Sequence, residues 1–294
     1  MILLALPLLL SAASFEGREV YYRSSGTGER TVVLIHGWTC DHTFWDAQAA
    51  ALSLHYRVLS IDLPGHGKSG VPPEASMTMD NFARAVAAVM DEAKVARASL
   101  AGHSLGTPVI RQFARLFPER TESLILMDGS IYPPANARAS QGRWEVYRGA
   151  AGLATREKII RAYLTPAGAG KVNAQILKVM LAAPEATAVG AIKGMMELPI
   201  WEDESPVRVP TLGVYQEKSP LAEGYLRQLF PLLEYHRVSG TGHFLMMEKP
   251  AAVNRLMLEF LRRVARRRPE NRPAGSVHKE KPPAFGRGLG AFPP

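Results

Sequence analysis

A chain of 294 residues with 47% apolar side chains can bury a sizeable core, as one large α/β domain with an insertion or as two modest domains. Cys40 is the only cysteine, which excludes an intrachain disulfide and leaves the redox compartment open. The net charge of +8 does not signal nucleic acid: from Arg262 onward seven Arg and two Lys stand against two Glu, so a basic tail follows a nearly neutral body.

Residues 1–10 are almost wholly apolar, and Ser11-Ala12-Ala13-Ser14 offers the small residues a signal peptidase selects. Segment 1–17 therefore reads as a secretory signal, although no Lys or Arg precedes the apolar run. An exported protein, periplasmic or secreted, is expected, and a cytoplasmic one if the segment is not a signal. The run is too short to cross a bilayer as a helix. Alternation through Glu19–Arg23, a Gly26-Thr27-Gly28 turn and the apolar run Thr31–Ile35 predict a hairpin that delivers a buried central strand. That strand ends in His36-Gly37-Trp38, where a glycine lets backbone come close to a neighbouring loop. The Trp38 N–H is expected as a donor to an oxyanion, His36 as a residue that holds its loop, and Cys40 as a small buried thiol.

Tyr56–Ile61 is the next strand, closed by Asp62-Leu63-Pro64-Gly65-His66-Gly67-Lys68-Ser69, whose Pro and Gly demand a tight loop. Asp62 and His66 have no local nucleophile to serve, so both are read as braces. Thr78 is a helix cap for Met79, Phe82, Ala83, Val86, Met90 and Ala93, which recur at helical spacing and place one face on the sheet.

Arg97–Ala101 then leads into Gly102-His103-Ser104-Leu105-Gly106 and a helix over 107–117. A serine at a strand-to-helix turn this tight takes a strained backbone angle, and small flanking residues make room for it. The strain lifts the Ser104 hydroxyl clear of the sheet and aims the Leu105 N–H at negative charge forming beside it. Strand Ser123–Met127 runs into Asp128-Gly129-Ser130. Over 131–205 helical patches such as Glu157–Leu164 and Asn173–Leu181 alternate with Pro and Gly, without a strand. This stretch reads as a helical lid inserted into a core of 18–130 and 206–268, with Trp144, Met180, Met195, Met196 and Trp201 divided between packing and a pocket. Strand Pro210–Tyr215, helix 221–230 and strand Leu233–Val238 follow. The loop Ser239-Gly240-Thr241-Gly242-His243-Phe244 can swing an imidazole over the sheet edge. A helix over Ala251–Arg267 closes the core, and the basic, Pro- and Gly-rich segment 269–294 is expected to lack fixed structure.

His36-Gly37-Trp38, the Asp62–Ser69 loop, Gly102–Gly106 and Gly240–Phe244, in this order, make residues 18–267 resemble the α/β-hydrolase fold family, in its small-molecule esterase branch with a helical lid. The resemblance implies a mostly parallel central sheet flanked by helices, with Ser104 as nucleophile, His243 as its base and a carboxylate between them in chain order. The chemistry asks for the same set, because a serine hydroxyl needs an imidazole to take its proton and the imidazole needs a carboxylate to fix its tautomer. Many relatives carry an aspartate where this chain has Ser219, so the acid is either Asp128, favoured by its strand-end position, or Glu217. Serine at 104 argues against the epoxide-hydrolase and dehalogenase chemistries of the same fold. Hydrolysis of a carboxylic ester of a small, largely apolar substrate by water is expected, without metal or cofactor and without nucleic acid. Membrane contact is expected only through the N-terminal segment or the basic tail. A carbon–carbon bond hydrolase, a perhydrolase and a non-catalytic binding protein are the alternatives, and oligomeric state is open.

Overall fold

The computed structural model describes residues 9–168, 170–219 and 223–266. Among these residues eight strands form one sheet: β1 Leu9–Phe15, β2 Arg18–Ser25, β3 Thr31–Ile35, β4 Arg57–Ile61, β5 Ala98–His103, β6 Thr121–Met127, β7 Thr211–Gln216 and β8 Leu233–Val238. Their spatial order is β1-β2-β4-β3-β5-β6-β7-β8. β1 and β2 are antiparallel to their neighbours, and β3 through β8 run parallel. Every residue of β3 and β5 is buried, as an apolar run must be when helices cover both faces of a parallel sheet.

The helices are α1 Asp46–Leu52, α2 Met79–Glu92, α3 Gly106–Leu116, α4 Pro134–Ala139, α5 Gly149–Tyr163, α6 Lys171–Ala182, α7 Glu185–Met196, α8 Pro199–Glu202, α9 Glu223–Leu229, α10 Leu245–Glu248 and α11 Pro250–Arg266. Thr78 caps α2 by accepting the Asn81 N–H, and Met79, Phe82, Ala83, Val86 and Met90 are buried as their spacing predicts. α2 packs on α3, and α1 on α11. The five helices α4–α8 are inserted between β6 and β7, with no strand among their described residues.

Two expectations about the N-terminal part are corrected. β2 does not form a hairpin with β3; it pairs antiparallel with β4, Tyr22 opposite Ile61, and β4 lies between β2 and β3. The Gly26-Thr27-Gly28 turn carries the chain past the start of β4: a Cβ on Gly26 would lie 2.2 Å from the Tyr56 carbonyl oxygen, and one on Gly28 2.3 Å from that of His55. Local alternation reports a strand and a turn but not a third strand inserted between them. The sheet also starts before residue 18, because β1 pairs with β2 from Leu9 opposite Ser24 to Phe15 opposite Arg18. Ser11-Ala12-Ala13-Ser14, read as a cleavage site, is thus part of an edge strand, with Ala13 buried. Small residues give little period-two contrast, so no alternation marks this strand in the sequence. Residues 1–8 of the apolar run and the tail 269–294 lie outside the described residues.

The strand order reverses beside β3, whose neighbours β4 and β5 leave to opposite sides. In open α/β sheets the carboxyl ends of the strands at such a switch point frame a crevice, and there the chain places Trp38 and Ser104.

Candidate active site

Among the described residues five non-glycine residues have left-handed backbone angles, and three of them, Thr39 (φ 54°), Ser104 (φ 51°) and Asp128 (φ 41°), follow β3, β5 and β6. Such angles cost about 1–3 kcal/mol each and persist where the surroundings over-determine them. Around Ser104 the surroundings are visible. A Cβ on Gly102 would lie 2.3 Å from the Gly106 carbonyl oxygen, one on Gly106 2.5 Å from that of Ile35, and one on Gly37 3.1 Å from the Ser104 Cβ. The two elbow glycines and Gly37 therefore let β3, β5 and α3 close on the serine, as the motif predicts. The Ser104 carbonyl accepts the Thr107 and Ser130 N–H groups, which ties the turn to both α3 and the loop after β6.

Asp128 and His243, 115 residues apart, meet through a hydrogen bond from Nδ1 to Oδ2 of 2.7 Å. The Asp128 carboxylate is almost fully buried and also accepts the Gln216 backbone N–H (3.2 Å) and side-chain amide (3.1 Å). Glu217 is exposed, and the Ser219 N–H donates to the Gln216 carbonyl; among the described residues neither side chain is hydrogen-bonded to His243. Gln216 escaped the sequence reading; as the last residue of β7, beside β6, it was marked only by its strand-end position. Ser104 and His243 line one cavity, and no hydrogen bond joins the serine hydroxyl to the ring in this structure. Catalytic hydrogen bonds often tighten only when substrate is bound.

That cavity holds about 550 Å³, counting its open mouth. Trp38 lines it and Leu105 directly follows Ser104, and the N–H of neither donates to a carbonyl in the loop and turn bonds of the described residues. The Trp38 indole donates to the Ala188 carbonyl of α7 (2.8 Å), so the loop after β3 is anchored to the inserted helices. Met180, Ile192, Met195 and Met196 line the cavity, as do Tyr132, Tyr147 and Tyr163. Trp201 is a packing residue, buried with its indole N–H on the Met195 carbonyl, and Trp144 packs half-buried against the core. His103, within the elbow motif, also lines the site: its Nε2–H donates to the His243 carbonyl (2.9 Å) and its ring lies 4.7 Å from the His243 ring. Burial, followed by the neighbouring His243, holds it well below the ordinary imidazole range.

The residues read as braces act as braces. His36 donates from Nδ1 to the Gly37 carbonyl and accepts the Leu63 N–H at Nε2. Asp62 accepts the His42 and Lys68 N–H groups and the His42 ring, and a Cβ on Gly67 would lie 2.3 Å from its carboxylate. Cys40 is buried, and desolvation pushes its thiol well up. His66 is buried against His36 and Phe82. Desolvation first, and His36 second, lower it to about 3. The folded state thus keeps His66 neutral while the unfolded chain takes up a proton near pH 6.5. Stability should be full above about pH 6.5 and decline as the pH falls from there toward 3, with His36 and His103, both also lowered, adding in the same direction. Melting temperatures measured from pH 7 to 4.5 should fall, and less steeply for His66→Asn; an unchanged slope would remove His66 from the account.

Residues 30–250 match the family model described as the alpha/beta hydrolase fold. The dihydrolipoyllysine-residue acetyltransferase component of the acetoin cleaving system of Pseudomonas putida is 28% identical over 252 residues, 83% of this chain and 66% of that protein. A 2-hydroxy-6-oxononadienedioate/2-hydroxy-6-oxononatrienedioate hydrolase of Burkholderia vietnamiensis is 37% identical over 123 residues, 40% of this chain and 42% of that protein. The chain thus spans less than two thirds of either of these relatives. Among solved structures, a thermophilic esterase from Thermogutta terrifontis superposes with a TM-score of 0.74 at 28% identity, over 87% of this chain and 97% of the esterase.

Proposed function

The chain belongs to the alpha/beta hydrolase fold family, and from that premise we propose that it is a serine hydrolase cleaving a carboxylic ester or related acyl bond of a small, largely apolar substrate. The observation that carries this reading is the hydrogen bond from His243 to the buried Asp128 at the rim of the cavity that Ser104 also lines. The bond leaves Nε2 as the basic nitrogen of His243. That nitrogen takes the Ser104 proton as the hydroxyl attacks the carbonyl carbon, while Asp128 stabilises the imidazolium. The Trp38 and Leu105 N–H groups receive the oxyanion. His243 then protonates the leaving alcohol, and a water deprotonated by the same nitrogen releases the acid from the acyl-enzyme. The inserted helices serve as the lid, and their Met and Tyr side chains supply the apolar wall.

The resemblance of part of the chain to a dioate hydrolase raises carbon–carbon bond cleavage on the same residues as a second reading. No Lys or Arg lines the cavity among the described residues, and an anionic group placed there without a partner loses its hydration uncompensated. Neutral esters are therefore favoured over dicarboxylates. A panel of p-nitrophenyl esters, lactones, amides and a vinylogous 1,5-diketo acid, run beside labelling by a fluorophosphonate probe, tests the reading. Turnover of the esters with a single adduct on Ser104 is expected. Turnover of the diketo acid alone would transfer the function to the second reading, and a protein inert to the esters and the probe would be a binding member of the fold.

A further inference from the structure

We propose that Glu248 is a positioning residue that couples the inserted helices to the His243 loop, so that the imidazole is held for proton transfer only while the end of α5 is docked; this rests on the serine-hydrolase reading above. One carboxylate joins the two segments. Its Oε2 accepts the N–H of Gly242, the residue before His243, at 2.6 Å. Its Oε1 accepts the Thr165 hydroxyl, two residues beyond α5, at 2.8 Å. The segments are also in direct contact. A Cβ on Gly242 would lie 2.3 Å from the Thr165 Cγ2 and 3.1 Å from the Tyr163 carbonyl oxygen. The Tyr163 ring lies 4.7 Å from that of His243 with the planes 36° apart. Asn173 at the start of α6 donates to the Thr165 carbonyl (3.1 Å), which fixes the far side of the same turn.

The arrangement is asymmetric in its chemistry. The Gly242 N–H can only donate, so it requires an acceptor where Glu248 provides one, and a carboxylate has two oxygens to serve two donors at once. If α5 lifts, Thr165 leaves the carboxylate and Tyr163 leaves the ring in the same movement. His243 then keeps Asp128 and His103 as anchors but loses the group on its open face. A displacement of about 1 Å in a reacting group can cost about a hundredfold in rate, so the state of the lid is read directly at the base.

Thr165→Val removes the hydroxyl and keeps the side chain's shape, whereas Thr165→Ser keeps the hydroxyl. With p-nitrophenyl acetate, Thr165→Val should lower kcat by about tenfold to a hundredfold with little change in KM, and Thr165→Ser should retain most of the wild-type kcat. Hydrogen–deuterium exchange of the wild type and both variants supplies a measurement independent of turnover. Thr165→Val should quicken exchange in 240–244 as well as in 163–168, and Glu248→Met, which has neither carboxylate oxygen, should do the same. Loosening of 163–168 alone, or a Thr165→Ser variant as impaired as Thr165→Val, overturns the coupling. A wild type that hydrolyses no ester and takes no fluorophosphonate overturns the functional reading instead, while the exchange result still decides whether Glu248 links the two segments.

Discussion

Ser104→Ala should lower ester turnover by about six orders of magnitude, the scale on which loss of a nucleophilic serine acts in other triad enzymes. The substitution removes only the oxygen. Alanine carries the same Cβ, so it meets the same neighbours at the same strained angle (φ 51°). The N–H groups of Trp38 and Leu105 are untouched, so the oxyanion stabilisation proposed for them should persist in part and substrate binding should change little. The measurement is kcat on a p-nitrophenyl ester, with KM and the melting temperature followed in parallel and fluorophosphonate labelling expected to disappear. Activity within a hundredfold of wild type would show that another group forms the covalent bond.

Asp128→Asn should lower turnover by about four orders of magnitude, and Glu217→Gln should leave it unchanged. Three donors converge on the Asp128 carboxylate: the His243 ring, the Gln216 N–H and the Gln216 side-chain amide. An asparagine has one acceptor oxygen and presents an NH₂ group in place of the other. Either His243 turns to the tautomer with its proton on Nε2, which cannot accept the Ser104 proton, or a buried donor is left unpaired. Glu217 is exposed, and among the described residues its backbone carbonyl, not its carboxylate, is engaged, by Arg237. Rates for the two variants, beside the rate of fluorophosphonate labelling, separate the assignments; a large loss in Glu217→Gln with activity kept in Asp128→Asn would move the acid to 217.

Much of this was legible along the chain because the information is local. The elbow depends on Gly102 and Gly106 within two residues of Ser104, and the buried parallel strands announce themselves as apolar runs bounded by Gly and Pro. The bracing roles of His36, Asp62 and His66 followed from their position in tight loops without a nucleophile, and the structure finds each bonded or packed within or beside its own loop. The β2–β3 hairpin failed because pairing is decided at long range: β4 separates the two strands, and β1 is likewise held by its partner β2 rather than by a pattern of its own.

The sequence by itself determined the sheet class, the strained serine, the two glycine-framed loops and a choice of two carboxylates, since each is written in the size and polarity of neighbouring residues. Only the tertiary structure brought Asp128 to the His243 ring, Gln216 to the carboxylate and His103 to the His243 carbonyl, and laid Tyr163 and Thr165 over the histidine loop. Those contacts join segments as many as 140 residues apart, and their partners are chosen by the order in which parallel strands lie side by side and by how inserted helices settle on their ends. No spacing along a chain records either.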